Sequence, residues 1–531
     1  MATFDEELAA AHRALTRGDA AAAERILKRL LRSAPLHSPA NELMGHVARN
    51  RGDFEGAGRH LRTAVASPDA SPNAWYYFGD WHFRHGRLEE AESAFSRAVD
   101  ARGAFFEALH ELGRVLHEQR RFTDAIAAYE RAIALDAKSF AALHNVGKSL
   151  SAAGRHQEAL ERYDQALRLN PQSAITWLTR GQALHDLNRM DLALESYSKT
   201  LSLQPDFPEA KADEAIVRLT LGQWDVGWPA YEARWEGASG LRRRHKEIAA
   251  WRRERPIEGA RILAWCEQGL GDTLQFCRYA RMLMDEGAKV VLEVQPALQA
   301  LLAASFDCEV VARGNALPGC DKQVPLMSLP LMFNTTPANV PAPVPYLRAD
   351  PARVDSWKER VRRNDTKPKV AIACSGRAAH PYASRRQVSL DRFAPLAEFA
   401  HVFLVQKDLR DEDRGALYAG DLKIDDLGDE IADFADSAAI LMNMDLVISV
   451  DTSLVHLAGA LGRPVWILLA DVPDWRWMLD RPDSPWYPTA RLFRQQKAGD
   501  WEGVFSRVIE AFHDFRSRIV RARQEPRGGE P

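Results

Sequence analysis

A chain of 531 residues exceeds what one hydrophobic core usually organises, so roughly two to four domains are expected, and 46% apolar residues suffice to build them. Lysine and arginine total 70 against 73 aspartates and glutamates, a net charge of −3, which excludes a global attraction to nucleic acid or membrane surfaces. The N-terminal stretch MATFDEELAAAHRAL is acidic and lacks the basic and apolar blocks of a leader, and no apolar run reaches about 18 residues, so a cytoplasmic protein without a membrane span is expected. Cys266, Cys277, Cys308, Cys320 and Cys374 are odd in number and lack metal-ligand spacing. They read as buried thiols, with neither a disulfide framework nor a metal site implied.

The first 237 residues repeat themselves. Small residues recur every 34 positions at Ala11, Gly45, Gly79, Gly113, Gly147, Gly181 and Ala215. A second small series starts 12 residues later: Ala23, Ala57, Ala91, Ala125, Ala159, Ala193 and Gly227. Four residues after each stands a bulky one: Leu27, Leu61, Phe95, Tyr129, Tyr163, Tyr197 and Tyr231. Each unit therefore predicts helix A, a turn and helix B. The small residues let the two helices approach, and the bulky residue is expected to fill the gap against the next hairpin. The pattern resembles the tetratricopeptide repeat (TPR) family, with Pro35, Pro171 and Pro205 where that family ends helix B. Seven repeats are counted, the last (GQWDVGWPAYEARW) irregular and read as a cap or joint.

TPR arrays generally bind polypeptide segments on the face lined by their A helices. Here that face offers Trp75, Tyr76, Asn145, Lys148, Trp177 and Arg180. Trp75 and Trp177 stand where the family uses tryptophan in packing, so core is favoured over ligand contact. Asn145 and Lys148 are the acceptor-binding candidates.

Residues 241–256, LRRRHKEIAAWRRERP, break the repeat and are dense in arginine. With one interleaved aromatic, Trp251, they read as a solvated connector rather than a phosphate or nucleic-acid site. From Arg261 short β-rich runs alternate with helical patterns, predicting parallel sheets covered by helices. The first unit reads RILAWC as strand, EQGLGD as turn, TLQFCRYARMLMDEG as one helix and KVVLEV as the next strand. KVAIAC, HVFLVQ, DLVISV and VWILLA are strands of a second set, separated from the first by a proline-rich hinge. The expected organisation is 1–237 repeats, 238–260 connector, 261–347 first half, 348–366 hinge, 367–498 second half, 499–522 a C-terminal helix and 523–531 a disordered tail.

DLVISVDTSLVHLAGALGRPVWILLA carries the strongest site signal. A strand ending in Asp451-Thr452-Ser453 that opens a helix aims free N–H groups and the positive helix end at a phosphate. The bland alternative is that Asp451 and Thr452 only cap the helix and that His456 only packs. The segment resembles the nucleotide-sugar site of heptosyltransferase-type, family 9 glycosyltransferases, which usually carry glycine where this chain has Ser453. That resemblance implies the GT-B architecture, two Rossmann-like α/β halves around a cleft, following an all-α TPR superhelix.

The resemblance extends to other loops. Gly269-Leu270-Gly271-Asp272 is similar to the family's Gly-Asp loop, which implies Asp272 as the general base; an N-cap role for Asp272 stays open. Gln268, Gln275 and Arg278 are close enough in sequence to line that crevice, the last two as acceptor contacts. In SGRAAHPYASRRQVSL, the resemblance implies Ser375, Gly376, Arg377 and Arg386 as phosphate contacts and His380 as an acid or base. Related TPR-linked transferases have tryptophan at the position of Cys374. Gln406 and Lys407 are implied nucleotide contacts, with a solvated strand end equally open. In DWRWMLDRPDSPWYPTARLFRQ, Trp475, Trp477 and Trp486 either shape a sugar or base pocket or pack the halves together.

The implied function is metal-independent, cofactor-free transfer of a sugar from a nucleotide-sugar to a serine or threonine of a TPR-bound protein. Chains of this layout include flagellin glycosyltransferases that use CMP-nonulosonic acids such as CMP-pseudaminic acid, which suggests flagellin as acceptor. Two alternatives stand beside it: a heptosyl or hexosyltransferase acting on envelope glycan or another protein, and a non-catalytic scaffold with a degenerate transferase domain.

Overall fold

A computed structural model describes residues 3–237, 240–253, 256–341, 344–376, 383–420 and 422–524. The chain divides into two compact units, Met1–Pro205 and Asp206–Pro531. Among the described residues, no helix is long and apolar enough to cross a membrane.

The first unit is an all-helical TPR array of six A–B hairpins, from Phe4–Thr16 with Ala20–Ser33 to Ala174–Asp186 with Met190–Leu203. Local chemistry marks the helix starts. Asp19 and Asp53 cap B helices, and Ser71, Ser139 and Ser173 cap A helices, each side chain accepting a backbone N–H three residues on. Successive A helices touch one another: Ser38–Asn50 meets Pro72–Arg84, which meets Phe106–Glu118, which meets Phe140–Ala152. The 34-residue glycine series has a direct steric reason. A Cβ at Gly79, Gly113, Gly147 or Gly181 would stand 2.8, 2.7, 2.5 or 2.5 Å from the ring of Phe95, Tyr129, Tyr163 or Tyr197. Each of these rings thus lies against the A helix of its own hairpin, and Tyr163 also meets Thr179 of the next one.

The seventh hairpin, Pro208–Thr220 with Trp224–Tyr231, falls in the second unit. Trp224 stacks on Trp486 with centroids 4.9 Å apart, Trp228 meets Trp475 edge-on at 5.3 Å, and the Trp228 indole N–H donates to the Thr335 carbonyl at 3.0 Å. The basic connector is largely exposed, as expected, but three of its residues are anchored to the sheet region. Trp251 is buried and donates its N–H to the Gln323 carbonyl, while Arg244 and His245 both reach the buried Glu293 carboxylate, at 2.8 and 2.9 Å.

The remainder of this unit holds two parallel sheets. In the first, β1 (Arg261–Trp265), β2 (Lys289–Val294), β3 (Glu309–Ala312) and β4 (Lys322–Pro325) run in the order β3-β2-β1-β4. In the second, β5 (Lys369–Ala373), β6 (His401–Leu404), β7 (Ile424–Asp426), β8 (Leu446–Val450), β9 (Val465–Leu469) and β10 (Ala490–Arg494) run β10-β9-β8-β5-β6-β7. Strand order reverses between β1 and β4 and again between β5 and β8, and at such points the crevice beyond the strands' carboxyl ends is left open for ligands. The expected single helix after β1 is two, Leu270–Phe276 and Arg278–Asp285. The expected hinge contains the helix Pro351–Arg360, tied to the second half by Arg353 to Asp433 and Asp436, at 2.8 and 2.9 Å, and by Arg360 to Glu430. A last helix, Trp501–Gln524, follows β10; residues 525–531, where a tail was expected, lie outside the described residues.

Candidate functional site

Two loops meet where both sheets have their switch points. After β1 the chain turns through Gly269 into the helix Leu270–Phe276; after β8 it turns through Thr452 into the helix Ser453–Ala460. The helices are in contact. A Cβ on Gly271 would stand 2.9 Å from His456 Cδ2 and 3.6 Å from Ser453 Cα, so only glycine permits this approach. On the second half, the β5 loop lies beside the β8 loop: a Cβ on Gly376 would be 3.6 Å from Thr452 Cγ2. Thr452 caps its helix, its hydroxyl accepting the Leu454 N–H at 3.3 Å.

Gly269 is the N-cap of the helix Leu270–Phe276, and Asp272, at its third position, closes back on it. Its Oδ2 accepts the Gly269 N–H at 2.7 Å, while Oδ1 accepts from Arg476 Nη2 across the junction of the halves. Arg476 is 6% exposed and fully engaged. Its Nε donates to Gln275 Oε1 at 2.7 Å, its Nη1 to Asp474 Oδ1 at 2.8 Å, and its guanidinium lies 4.2 Å from the Trp475 ring centroid. The other oxygen of Asp474 accepts from Arg386 at 3.2 Å, and Arg386 also pairs with Asp451 at 3.1 Å. Asp272, Arg476, Asp474, Arg386 and Asp451 therefore form one continuous chain of alternating charge, three carboxylates holding two guanidiniums.

The charges respond to burial and to each other. Burial pushes the Asp451 carboxyl up, with Arg386 opposing. Burial pushes Asp474 the same way, but Arg476 and Arg386 outweigh it and hold that carboxyl well below the usual range. His456, 4% exposed, stacks on Trp477 with centroids 5.3 Å apart and bonds the Tyr487 hydroxyl through Nδ1 at 2.9 Å. Burial, aided by the Arg476 charge, lowers its pKa to about 3, so the imidazole is neutral and its Nδ1 is engaged with Tyr487.

Several other expected contacts are also committed elsewhere. Arg278 is 1% exposed, with its guanidinium on the Trp486 carbonyl, the Tyr346 hydroxyl and the Gln275 carbonyl, and 4.3 Å from the Tyr346 ring centroid. Gln275 is fully buried against Arg476. Both are buried and bonded within the core. Gln406 likewise spends its amide on the chain: Oε1 accepts from the Cys374 and Ser375 N–H groups at 3.0 and 3.2 Å, and Nε2 donates to Ser375 Oγ at 2.7 Å. It shapes the β5 loop rather than projecting from it. Lys407 donates to the Ile431 carbonyl at 2.7 Å. Gln268 donates to the Tyr231 hydroxyl. Trp475, Trp477 and Trp486 are all buried, which favours packing over a sugar pocket. Cys374 is buried, its thiol pushed up to about 12 by burial, and all five cysteines are free thiols, three of them buried. Arg377 and His380 lie outside the described residues.

In the repeat unit, Asn145 and Lys148 line a cavity of about 60 Å³ together with Arg114, His117, Glu118 and Tyr129. Asn145 is hydrogen-bonded to His110 at 3.1 Å, and Lys148 is exposed. Trp75 and Trp177 are half-buried under Arg97 and Arg180.

Arg476 and Asp474 were missed by sequence reasoning. The available signal was two opposite charges set among the tryptophans of Asp474-Trp475-Arg476-Trp477, in a run where only the aromatics drew notice.

Comparison with known proteins agrees with this division. Tetratricopeptide repeat models match residues 8–74, 42–105, 105–172 and 146–208, and the glycosyltransferase family 9 (heptosyltransferase) model matches 432–497. Protein FlbA of Caulobacter vibrioides is 28% identical over 333 residues, 57% of this chain and 54% of FlbA. The chain thus spans about half the length of that curated relative. Among solved structures, YrrB, a TPR protein with an unusual peptide-binding site, matches at a TM-score of 0.33 with 20% identity, over 35% of this chain and 95% of YrrB. Pseudomonas aeruginosa PilF matches at 0.36 with 19% identity, over 40% of this chain and 96% of PilF.

Proposed function

From the premise that the chain is a TPR array joined to a family 9-like glycosyltransferase region, we propose that it is a nucleotide-sugar-dependent protein glycosyltransferase. The single observation carrying the reading is the convergence at both switch points. An exposed edge of Asp272 and the Thr452-capped helix end stand beside each other, joined through Arg476, Asp474 and Arg386. Asp272, 19% exposed at its side chain, is the group able to take a proton from an acceptor hydroxyl as that oxygen attacks the anomeric carbon. The N-terminal end of Ser453–Ala460, with Gly376 alongside and Arg386 nearby, supplies positive potential where a departing nucleotide develops charge. The residues themselves provide acid–base and electrostatic work in a GT-B-like arrangement.

In this reading the repeat unit binds the polypeptide that carries the acceptor serine or threonine, through the face holding Asn145 and Lys148. Flagellin and a CMP-nonulosonic acid are the first acceptor and donor to try, with ADP-, UDP- and GDP-sugars next. The test is calorimetry of the full chain against CMP, UDP, GDP and ADP, repeated with Arg386→Gln. One nucleotide is expected to bind, more weakly in the variant. Silence from all four with folded protein would sink the donor site and leave a scaffold.

A further inference from the structure

The proposed donor site has its arginine already occupied. Arg386 is clamped between Asp451 at 3.1 Å and Asp474 at 3.2 Å, and its side chain is 23% exposed. Arg476 does not relieve this, since it is held by Asp272, Gln275 and Asp474. Within the chain Asp272–Arg476–Asp474–Arg386–Asp451 the formal charge is already negative by one, with three carboxylates against two guanidiniums. A phosphate arriving at Arg386 adds to that excess and meets two carboxylates on the very donors it needs. Like charges crowded in a poorly solvated place repel strongly, so phosphate and carboxylate exclude one another there.

We propose that Asp474 and Asp451 compete with the donor's phosphate for Arg386, so that the site is closed by its own carboxylates until a phosphate displaces them. This rests on the reading of Arg386 as a donor-phosphate contact. Asp474 is the more consequential of the two. Its Oδ1 accepts the Arg476 N–H at 3.0 Å and Arg476 Nη1 at 2.8 Å, so when phosphate takes Arg386 the Asp474 charge falls wholly to Arg476, the residue that grips Asp272. Donor arrival on the second half is thereby transmitted to the carboxylate on the first. Asp474 is a positioning residue in this scheme; it touches neither substrate.

The consequence runs against the usual expectation for a site residue: neutralising this acid should improve ligand binding. Asp474→Asn keeps an oxygen to cap Trp475–Trp477 while removing the charge. The experiment is calorimetry of full-length protein, wild type and Asp474→Asn, with CMP, UDP, GDP, ADP and inorganic pyrophosphate. Thermal unfolding without ligand checks the fold, and Asp451→Asn serves as the second variant if Asp474→Asn does not fold. Tightening of about threefold to tenfold is expected, larger for the diphosphates and pyrophosphate than for CMP. Unchanged or weaker binding by the folded variants overturns the competition, with the donor site itself intact. Silence from wild type and variants alike overturns both the competition and the donor site.

Discussion

Gly271 and His456 meet across the two α/β halves so closely that a single methyl on the glycine would stand 2.9 Å from the imidazole Cδ2. His456 cannot retreat, being stacked on Trp477 and bonded to Tyr487. Gly271→Ala is therefore expected to destabilise the second unit by about 1–3 kcal/mol, the usual cost of overpacking. Thermal unfolding checks it; a midpoint equal to wild type would show that the two helices accommodate the methyl without cost.

Asp272→Asn keeps the shape of the cap and removes the proton-accepting charge. Transfer from the nucleotide-sugar identified by the binding screen should fall about a hundredfold or more, the typical contribution of a general base, with nucleotide affinity within about twofold of wild type. Transfer at an undiminished rate would remove Asp272 from that role.

In the repeat unit, Gly147→Ala places a Cβ 2.5 Å from the Tyr163 ring, which is itself buried. The hairpin has to splay, and because each repeat is held only by its neighbours the loss spreads along the array. A loss of about 1–3 kcal/mol in denaturant unfolding is expected; pairing it with Tyr163→Leu should recover part of that loss.

The turn between helices A and B carries a positive φ at each 34-residue step: Gly18, Gly52, Gly86, Gly154 and Gly222 supply it with glycine, Asn188 adopts φ 56°, and Arg120, a long side chain, adopts φ 63°. A left-handed conformation costs a non-glycine residue roughly 1–2 kcal/mol, partly offset by glycine's larger unfolded-state entropy. Arg120→Gly should stabilise the array by about 0.5–1 kcal/mol, read as a raised denaturation midpoint.

Acid should weaken the repeat unit. Burial lowers His144 to about 4 from an ordinary 6.5, and it lowers His46, His60, His82 and His117 as well. As pH falls below 6.5 the unfolded chain takes up protons that the folded chain refuses, so stability decreases toward pH 4. Thermal midpoints measured between pH 7 and 5 should fall with acid; a flat or rising profile would contradict the buried neutral imidazoles.

Much of this was written in the sequence because it is local or periodic. The 34-residue glycine series, its aromatic partners, the strand–turn–helix at Asp451-Thr452-Ser453 and the alternation after Arg261 each follow from constraints that act over one or two turns of chain. What sequence could not decide was which charges are consumed inside the fold. Arg278, Gln275 and Gln406 look like polar groups near a crevice, yet packing buries them or turns them back on the chain. Arg244 and His245 look like solvated linker and instead answer the buried Glu293. The decisive pair, Asp272 and Arg476, is 204 residues apart. No propensity or period links two such positions; only the parallel topology that brings β1 and β8 to a common crevice sets a carboxylate from one half against a guanidinium from the other.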